Sequence, residues 1–522
     1  MNFLFIAFNI MFCIPLIGLL SGGGKLFELR NYHYAVIGLS IIIYFLFKIN
    51  IIKNKKNFFS EPSKRVYFSL IILSFVSYIC DSLSRYYGFK ISGIDFSIFE
   101  GLLQNAINGH WGYEDITQIY HFGIHQNWVL FLVLPFYYII PHPLLLVILS
   151  SIILWIPGIQ IIKIAKQLGY ESSIAYLSSI CWWTCGFTVQ ALHGNFYPEF
   201  FYPLFLFAIL TSYLDKKNIP LIIYAFLFLS VKEDAIIYII GFSIAIAFKI
   251  IINKVKNNQT EISFYMPLFL ILLSIFFGFI NFGIVKPYFL RLSNIQEVGY
   301  IGWWRQWGSS PFEILINLIN NPIIFAKNLF YSSGWKILYI PMLFIPLFNL
   351  EVLFASLPII VLYGVSQGNP SEYSLYYPLA IWAFALYGLL KNQVVPKKIL
   401  IIILLLLPLW KPSWLGIEKI NWDEWKILNN YKITMDSSKN YCIHEGLFPY
   451  LVNLEIKAFP FLDAHKISCI PVFSIHSSSF PNSQKELYNL YISLKKDACI
   501  ENQIGGIIEI KNSNICLNAI KF

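Results

Sequence analysis

The stretch FLFLSVKEDAIIYII, residues 226–240, sets Lys232, Glu233 and Asp234 side by side between two apolar runs. Only 13% of the 522 residues are charged, while 57% are hydrophobic and 18% aromatic. Apolar runs like these two recur along the chain, and the mean hydropathy is +0.62. Such a composition describes a polytopic membrane protein, folded mainly against lipid. Hydrocarbon offers no hydrogen-bond partners, so each span must satisfy its own backbone. The runs are continuously apolar without a two-residue alternation, which selects helices over a barrel. The fold class is therefore all-α. The formal charge of +10 does not indicate nucleic acid, because Lys and Arg are scattered through short loops and form no single basic face.

Working outward, spans are expected at 3–20, 34–52, 66–82, 143–164, 172–190, 200–214, 219–231, 235–252, 262–283, 334–349, 351–366, 373–390 and 398–415, about thirteen in all. The first run lacks a basic leader and a small-x-small site before SGGGKLFELR, so it reads as an uncleaved span. KNKKNFFSEPSKR, at 53–65, is the strongest orientation marker. Short basic loops stay in the cytoplasm, which puts the N-terminus there too.

NWVLFLVLPFYYII, at 127–140, is apolar but has only 14 residues. At about 1.5 Å per residue it reaches roughly 21 Å, short of a hydrocarbon core of about 30 Å. Leaving it out as a span also keeps the basic loops KIAKQ, DKKN, NKVKNN and KNQVVPKK inside. It is expected to be an interfacial or re-entrant helix. Three long segments then face the exterior: 83–142, 284–333 and 416–522. The chain divides into a two-span N-terminal extension with its cytoplasmic loop (1–65), a transmembrane core (66–415) and a small exported α+β domain (416–522). Cys442, Cys469, Cys499 and Cys516 lie in that last part, where an oxidising compartment permits two disulfides in any of three pairings, or four buried thiols.

Lys232, Glu233 and Asp234 fall at the exterior end of two adjacent spans, where charges mark a site unless they merely solvate a turn. On the same side lie Asp95 and Glu100 in GIDFSIFEG, the latter well placed simply to favour a helix start. His121 and His125 stand four apart, a spacing that fits a metal pair or ordinary interfacial histidines. ALHGNFYPEFF adds His193, Tyr197 and Glu199. Carboxylates from three segments could hold a divalent cation or supply a general base. Arg305, among Trp303, Trp304 and Trp307, suits a lipid phosphate at headgroup level. No Walker loop, GxGxxG on a strand or GxSxG is present, which leaves P-loop ATPases, Rossmann enzymes and α/β-hydrolases unsupported.

In this order, GIDFSIFEGLLQNAINGH, the histidine loop, FYPEFFYPLFLFAIL, LSVKEDAIIYIIGF, WGSSPFEILINLINNP and YSLYYPLAIWAFALYG resemble a bacterial family of predicted membrane proteins, DUF2079. That family is similar to the GT-C superfamily of membrane glycosyltransferases. The resemblance runs over roughly 85–520. Asp95 and Phe99 match an FDxGIFDQ-like motif in which Glu100 replaces the second Asp and Gly101 the Gln. His125 matches the His of a DHFSP-like motif whose other positions depart. Phe196, Pro198 and Glu199 match an FHPE-like motif with Tyr197 in place of His, and Lys232, Glu233 and Asp234 match KED in full. Tyr376 and Tyr377 match a YYH-like pattern that has Pro378 in place of its His.

The resemblance implies a GT-C-like enzyme working at the exterior membrane face with a polyprenyl-phosphate-linked sugar as donor and a lipid-linked or cell-surface glycan as acceptor. Asp95 and Glu100 would be catalytic, and Lys232 and Arg305 would bind the donor phosphate. His125, His193, Glu199, Glu233, Asp234 and Tyr376 would support them, with Asp95, His125 and Glu199 able to hold Mg or Mn. Tyr197 and Pro378 stand where that family carries histidines, while the carboxylate–lysine core survives. The implied location is the inner membrane of a bacterium, with the C-terminal domain in the periplasm or outside. The competing readings are a transporter of lipid or lipid-linked oligosaccharide, and a scaffold acting through its exported domain. The charges sit at span ends and no inverted repeat is visible, which favours the enzyme over the transporter.

Overall fold

A computed structural model describes residues 2–20 and 62–518, apart from 92, 115, 117, 257–262, 295–298, 310, 412, 414, 417, 419, 421, 437, 452–456, 462–463, 465 and 477–483. The expected span at 34–52 and most of the basic loop at 53–65 lie outside the described residues.

The chain is mostly helical. Among the described residues, four helices are long and apolar enough to cross a membrane: Lys64–Tyr87, Pro143–Gln167, Ala235–Val255 and the continuous run Tyr265–Leu292. Their ends follow local chemistry. Ser63 caps the first by accepting from the Val66 amide, and Pro143 opens the second at a position where its missing N–H costs nothing. Tyr265–Leu292 runs on nine residues past the expected boundary at 283, through a π-helical turn over Phe279–Val285. Only 17% of its apolar window is buried, as suits a helix facing lipid.

Shorter apolar helices fill most of the other expected spans: Phe201–Leu214, Asn218–Leu229, Leu350–Gly364, Leu379–Lys391 and Lys397–Trp410. The span expected at 172–190 breaks at Cys185 into Ser172–Thr184 and Gly186–His193. The one expected at 334–349 is not a continuous helix. Gly334–Tyr339 ends ahead of Pro341, Leu343 and Phe344 take positive φ, and a short 3-10 turn follows over Ile345–Phe348. Pro341 and Pro346 have no N–H to carry a helix through. Residues 127–140, expected to be too short to span, contain the ten-residue helix Leu130–Ile139.

Close packing holds the bundle. Ala235–Val255 meets Leu350–Gly364 at Gly241, where a Cβ would lie 2.1 Å from the Phe354 carbonyl oxygen, so only glycine lets the two backbones approach. One turn before Phe354, Glu351 takes the ammonium of Lys391 at 2.6 Å and that of Lys249, from Ala235–Val255.

The C-terminal part is α+β, as expected. Its five-stranded mixed sheet has the spatial order Lys457–Pro460, Asn440–Ile443, Ile470–Ser474, Ile507–Ile510, Ile500–Ile504. The first three strands are parallel and the last two pairings antiparallel. Two disulfides join Cys442 to Cys469 and Cys499 to Cys516, which settles one of the three pairings. An aromatic cluster seats this part on the end of helix Lys64–Tyr87: the Trp425 indole donates to the Tyr87 carbonyl at 2.8 Å and the Tyr450 hydroxyl to that of Tyr86 at 3.1 Å.

Candidate functional site

The turn between Asn218–Leu229 and Ala235–Val255 carries Lys232, Glu233 and Asp234, and each finds a different partner. Lys232 Nζ lies 2.7 Å from Glu199 Oε1, with both side chains less than a tenth exposed. Its ammonium also sits over the rings of Tyr376 and Tyr377, at 5.3 and 5.9 Å. Glu233 accepts from His125 Nδ1 at 2.7 Å. Asp234 accepts from the Tyr363 hydroxyl at 2.8 Å and from that of Tyr202.

The loops that carry these residues therefore meet. The histidine loop is fixed to the charged turn through its backbone: Val129 N donates to Ser230 O at 2.8 Å and Asn127 Nδ2 to Val231 O at 2.7 Å. Asp95 joins through Tyr197, whose hydroxyl donates to Asp95 Oδ2 at 2.8 Å and whose ring packs 4.3 Å from that of Tyr376. A continuous path of contacts thus runs Asp95, Tyr197, Tyr376, Lys232, Glu199.

Electrostatics in the turn follow from burial opposed by pairing. Desolvation disfavours the Lys232 ammonium, but Glu199, Glu233 and Asp234 outweigh it and leave its pKa raised. Burial alone would raise Glu233, yet His125 and Lys232 hold it down to about 2. His121 shows the opposite balance: burial, then the neighbouring His125, outweigh the Asn127 hydrogen bond and the Glu233 charge and pull it down to about 4, and its Nε2 lies 2.9 Å from Asn127 Oδ1.

Beside the turn opens a cavity of about 350 Å³. His125, Lys232, Glu233 and Asp234 supply its polar side, while Trp303, Trp304, Leu362 and Phe282 are among its apolar walls. One polar surface against apolar walls is the lining expected of a site for an amphipathic ligand.

Several expected site residues are elsewhere. Glu100 is fully buried on helix Gly93–Ile107, accepts from the Tyr137 hydroxyl at 2.5 Å and does not line the cavity. His193 turns away to Asp81, at 3.2 Å, in a second cluster with Arg85 and Glu418. Arg305 is exposed just past Trp303 and Trp304 and does not line the cavity. Asp95, His125 and Glu199 do not form a ligand set: each is engaged with a different partner, Tyr197, Glu233 and Lys232. Among the described residues no three His, Cys, Asp or Glu side chains gather closely enough to hold a metal ion.

Sequence reasoning missed Tyr202 and Tyr363, which hold Asp234, and Lys286, which lies near enough to Glu233 to feel its charge. Lys286 had a legible signal, a lone charge before Pro287 at the end of an apolar run. The tyrosines had none, among 33 in the chain.

Together, bundle and site define an integral membrane protein with a buried lysine–carboxylate centre at the edge of an amphipathic cavity. The chain belongs to the predicted membrane protein family DUF2079, whose model matches residues 85–410. No curated protein matches the sequence. Among solved structures it is similar to ArnT from Cupriavidus metallidurans bound to undecaprenyl phosphate, with 10% identity, 87% of this chain and 99% of that chain covered, and a TM-score of 0.48. The apo state of the same protein gives 10% identity, 85% and 98% coverage, and a TM-score of 0.45.

Proposed function

We propose that this protein is an integral-membrane glycosyltransferase that moves a sugar from a polyprenyl-phosphate carrier to a lipid-linked or cell-surface acceptor at the exterior membrane face. The observation that carries the reading is the Lys232 ammonium, buried against Glu199 on the polar side of a cavity with largely apolar walls. A polyprenyl phosphate needs a fixed cation for its head and an apolar path for its tail, and this cavity offers both chemistries side by side. The motif resemblance to DUF2079, a family similar to the GT-C superfamily, supports the same reading.

In the reaction the acceptor hydroxyl oxygen forms a bond to the anomeric carbon and the bond from that carbon to the phosphate oxygen breaks. Asp95, set by the Tyr197 hydroxyl, takes the acceptor proton. Lys232 offsets the charge that develops on the departing phosphate, and Glu199 and the His125–Glu233 pair hold it in place. Arg305 meets the phosphate at headgroup level as it enters. No step is routed through a divalent ion.

The same reading places the protein in a bacterial inner membrane, with the N-terminus cytoplasmic and 416–522 exported as a domain beyond the core at 66–415 and the extension at 1–65. About thirteen crossings then include short and broken helices that span only with local thinning of the bilayer.

Mass spectrometry of lipids retained by the protein in nanodiscs tests the proposal, comparing wild type with Lys232→Ala and Arg305→Ala. A polyprenyl phosphate enriched in wild type and lost in Lys232→Ala is the expected result. Bulk phospholipid alone, alike in all three, would remove the donor.

A further inference from the structure

A second hollow, about 770 Å³ in volume, lies beside the first, and its lining has the opposite character. Gln306, Asn317, Asn321, Asn328 and Gln367 present side-chain amides there, with Ser332, Ser366 and Ser371 among the remaining lining. No Lys, Arg, Asp, Glu or His lines it among the described residues.

Three of the amides are fixed in orientation. Gln306 Nε2 donates to Val365 O at 2.8 Å, Asn317 Nδ2 to Trp307 O at 2.7 Å and Asn321 Nδ2 to Asn317 O at 2.9 Å. Their carbonyl oxygens are left to accept from a ligand. Asn328 is partly exposed and Gln367 exposed, and neither side chain has a hydrogen bond among the described residues. Tyr331, 70% exposed, adds an aromatic face at the rim. A phosphate here would find no cation, and an apolar ligand would strip water from the amides without replacing its hydrogen bonds. A sugar fits, because each hydroxyl both donates and accepts and each ring has a C–H face for an aromatic.

The helices that carry the asparagines also fix the level of the groove. Pro311–Asn320 and Pro322–Tyr331 leave Ile319, Ile323 and Phe330 between 65% and 83% exposed, an apolar surface suited to the membrane interface. One wall separates the groove from the Lys232 cavity: Trp303 and Trp304 line the cavity and Gln306 and Trp307 the groove. That wall is locked, since Gln367 N donates to Trp303 O at 2.8 Å and Gly368, at φ +67°, leaves room for the Trp303 ring where a Cβ would lie 2.1 Å from it.

We propose that this groove binds the neutral, hydroxyl-rich portion of the acceptor, a glycan held at the membrane surface. The acceptor role rests on the transferase reading; the binding does not. Saturation-transfer NMR on full-length protein in nanodiscs tests it, using methyl glycosides of glucose, galactose, mannose and N-acetylglucosamine, with methyl glucuronide as the charged comparison. At least one neutral glycoside is expected to bind, with affinity about tenfold lower in Asn328→Ala/Gln367→Ala, whose side chains hold no other part of the fold. Absence of binding by all four, an unchanged signal in that variant, or equal binding of the glucuronide would overturn the assignment. Lys232→Ala separates the two proposals: it is expected to keep glycoside binding while losing polyprenyl phosphate. Carrier without glycoside binding defeats the groove alone. Variant-sensitive glycoside binding without carrier defeats the transferase reading and leaves the groove as a glycan site.

Discussion

Replacing Lys232 with Met tests whether the centre is built as an ion pair. The substitution keeps the aliphatic volume but leaves Glu199 with its carboxylate 7% exposed and its Oε2 without a hydrogen bond among the described residues. A buried carboxylate deprived of its partner costs about 3–5 kcal/mol if it stays ionised. It escapes by taking a proton, which at pH 7 costs an ordinary carboxylate roughly 3.7 kcal/mol and at pH 5 only about 1. The expected loss is therefore about 3–4 kcal/mol at pH 7, shrinking by about 2 at pH 5. Glu199→Gln alone is expected to cost less, because Lys232 keeps the fields of Glu233 and Asp234. Adding Glu199→Gln to Lys232→Met should restore about 2 kcal/mol, since no buried charge is then stranded. Reversible unfolding by steric trapping in bicelles, run on wild type, both single variants and the double at both pH values, measures each corner of the cycle. A loss under about 1 kcal/mol, no change between the two pH values, or no rescue by the second substitution would refute the reasoning.

Asp95→Asn is expected to abolish sugar transfer while leaving expression and polyprenyl-phosphate retention intact; undiminished transfer removes Asp95 from the chemistry. Glu233, held near 2 against an ordinary 4.5, contributes stability that is full above pH 4.5 and lost as pH falls toward 2. The loss should approach roughly 3 kcal/mol and be absent from Glu233→Gln in acid-unfolding titrations. Glu445 has the opposite sign: burial pushes it up to about 6. The native C-terminal part therefore takes up a proton between pH 6 and 4.5 and gains up to about 2 kcal/mol on acidification, an increment that Glu445→Gln should eliminate. Replacing Cys442 and Cys469 with Ser opens a bridge between positions 27 apart. A loss of about 3 kcal/mol is expected in that part, with the helical core unaffected, read by hydrogen exchange.

The membrane class, the all-α bundle and most helix positions were legible because they depend on local quantities: run length, apolarity and the placement of Lys and Arg. The span at 334–349 was misjudged because hydropathy averages over a window and does not register that Pro341 and Pro346 each remove a helical donor. The α+β character of 416–522 could be read from its polarity and short strand-like runs, whereas the disulfide pairing could not. Four cysteines admit three pairings, and only the parallel placement of Asn440–Ile443 beside Ile470–Ser474 brings Cys442 and Cys469 within 5.7 Å between Cα atoms.

The sequence alone named the ingredients of the site, because charges are rare in apolar surroundings and Lys232, Glu233, Asp234, Glu199, His125 and Asp95 each stood out against them. Which of them meet was decided only by the packing of helices. It gave Lys232 to Glu199, Glu233 to His125 and Asp95 to Tyr197, and sent His193 away to Asp81. Glu100 and Arg305 fell outside the cavity for the same reason. The physical cause is the range of the forces concerned. Partition into a membrane is set residue by residue, whereas an ion pair or a hydrogen bond depends on a few ångströms between segments that can lie a hundred residues apart in the chain.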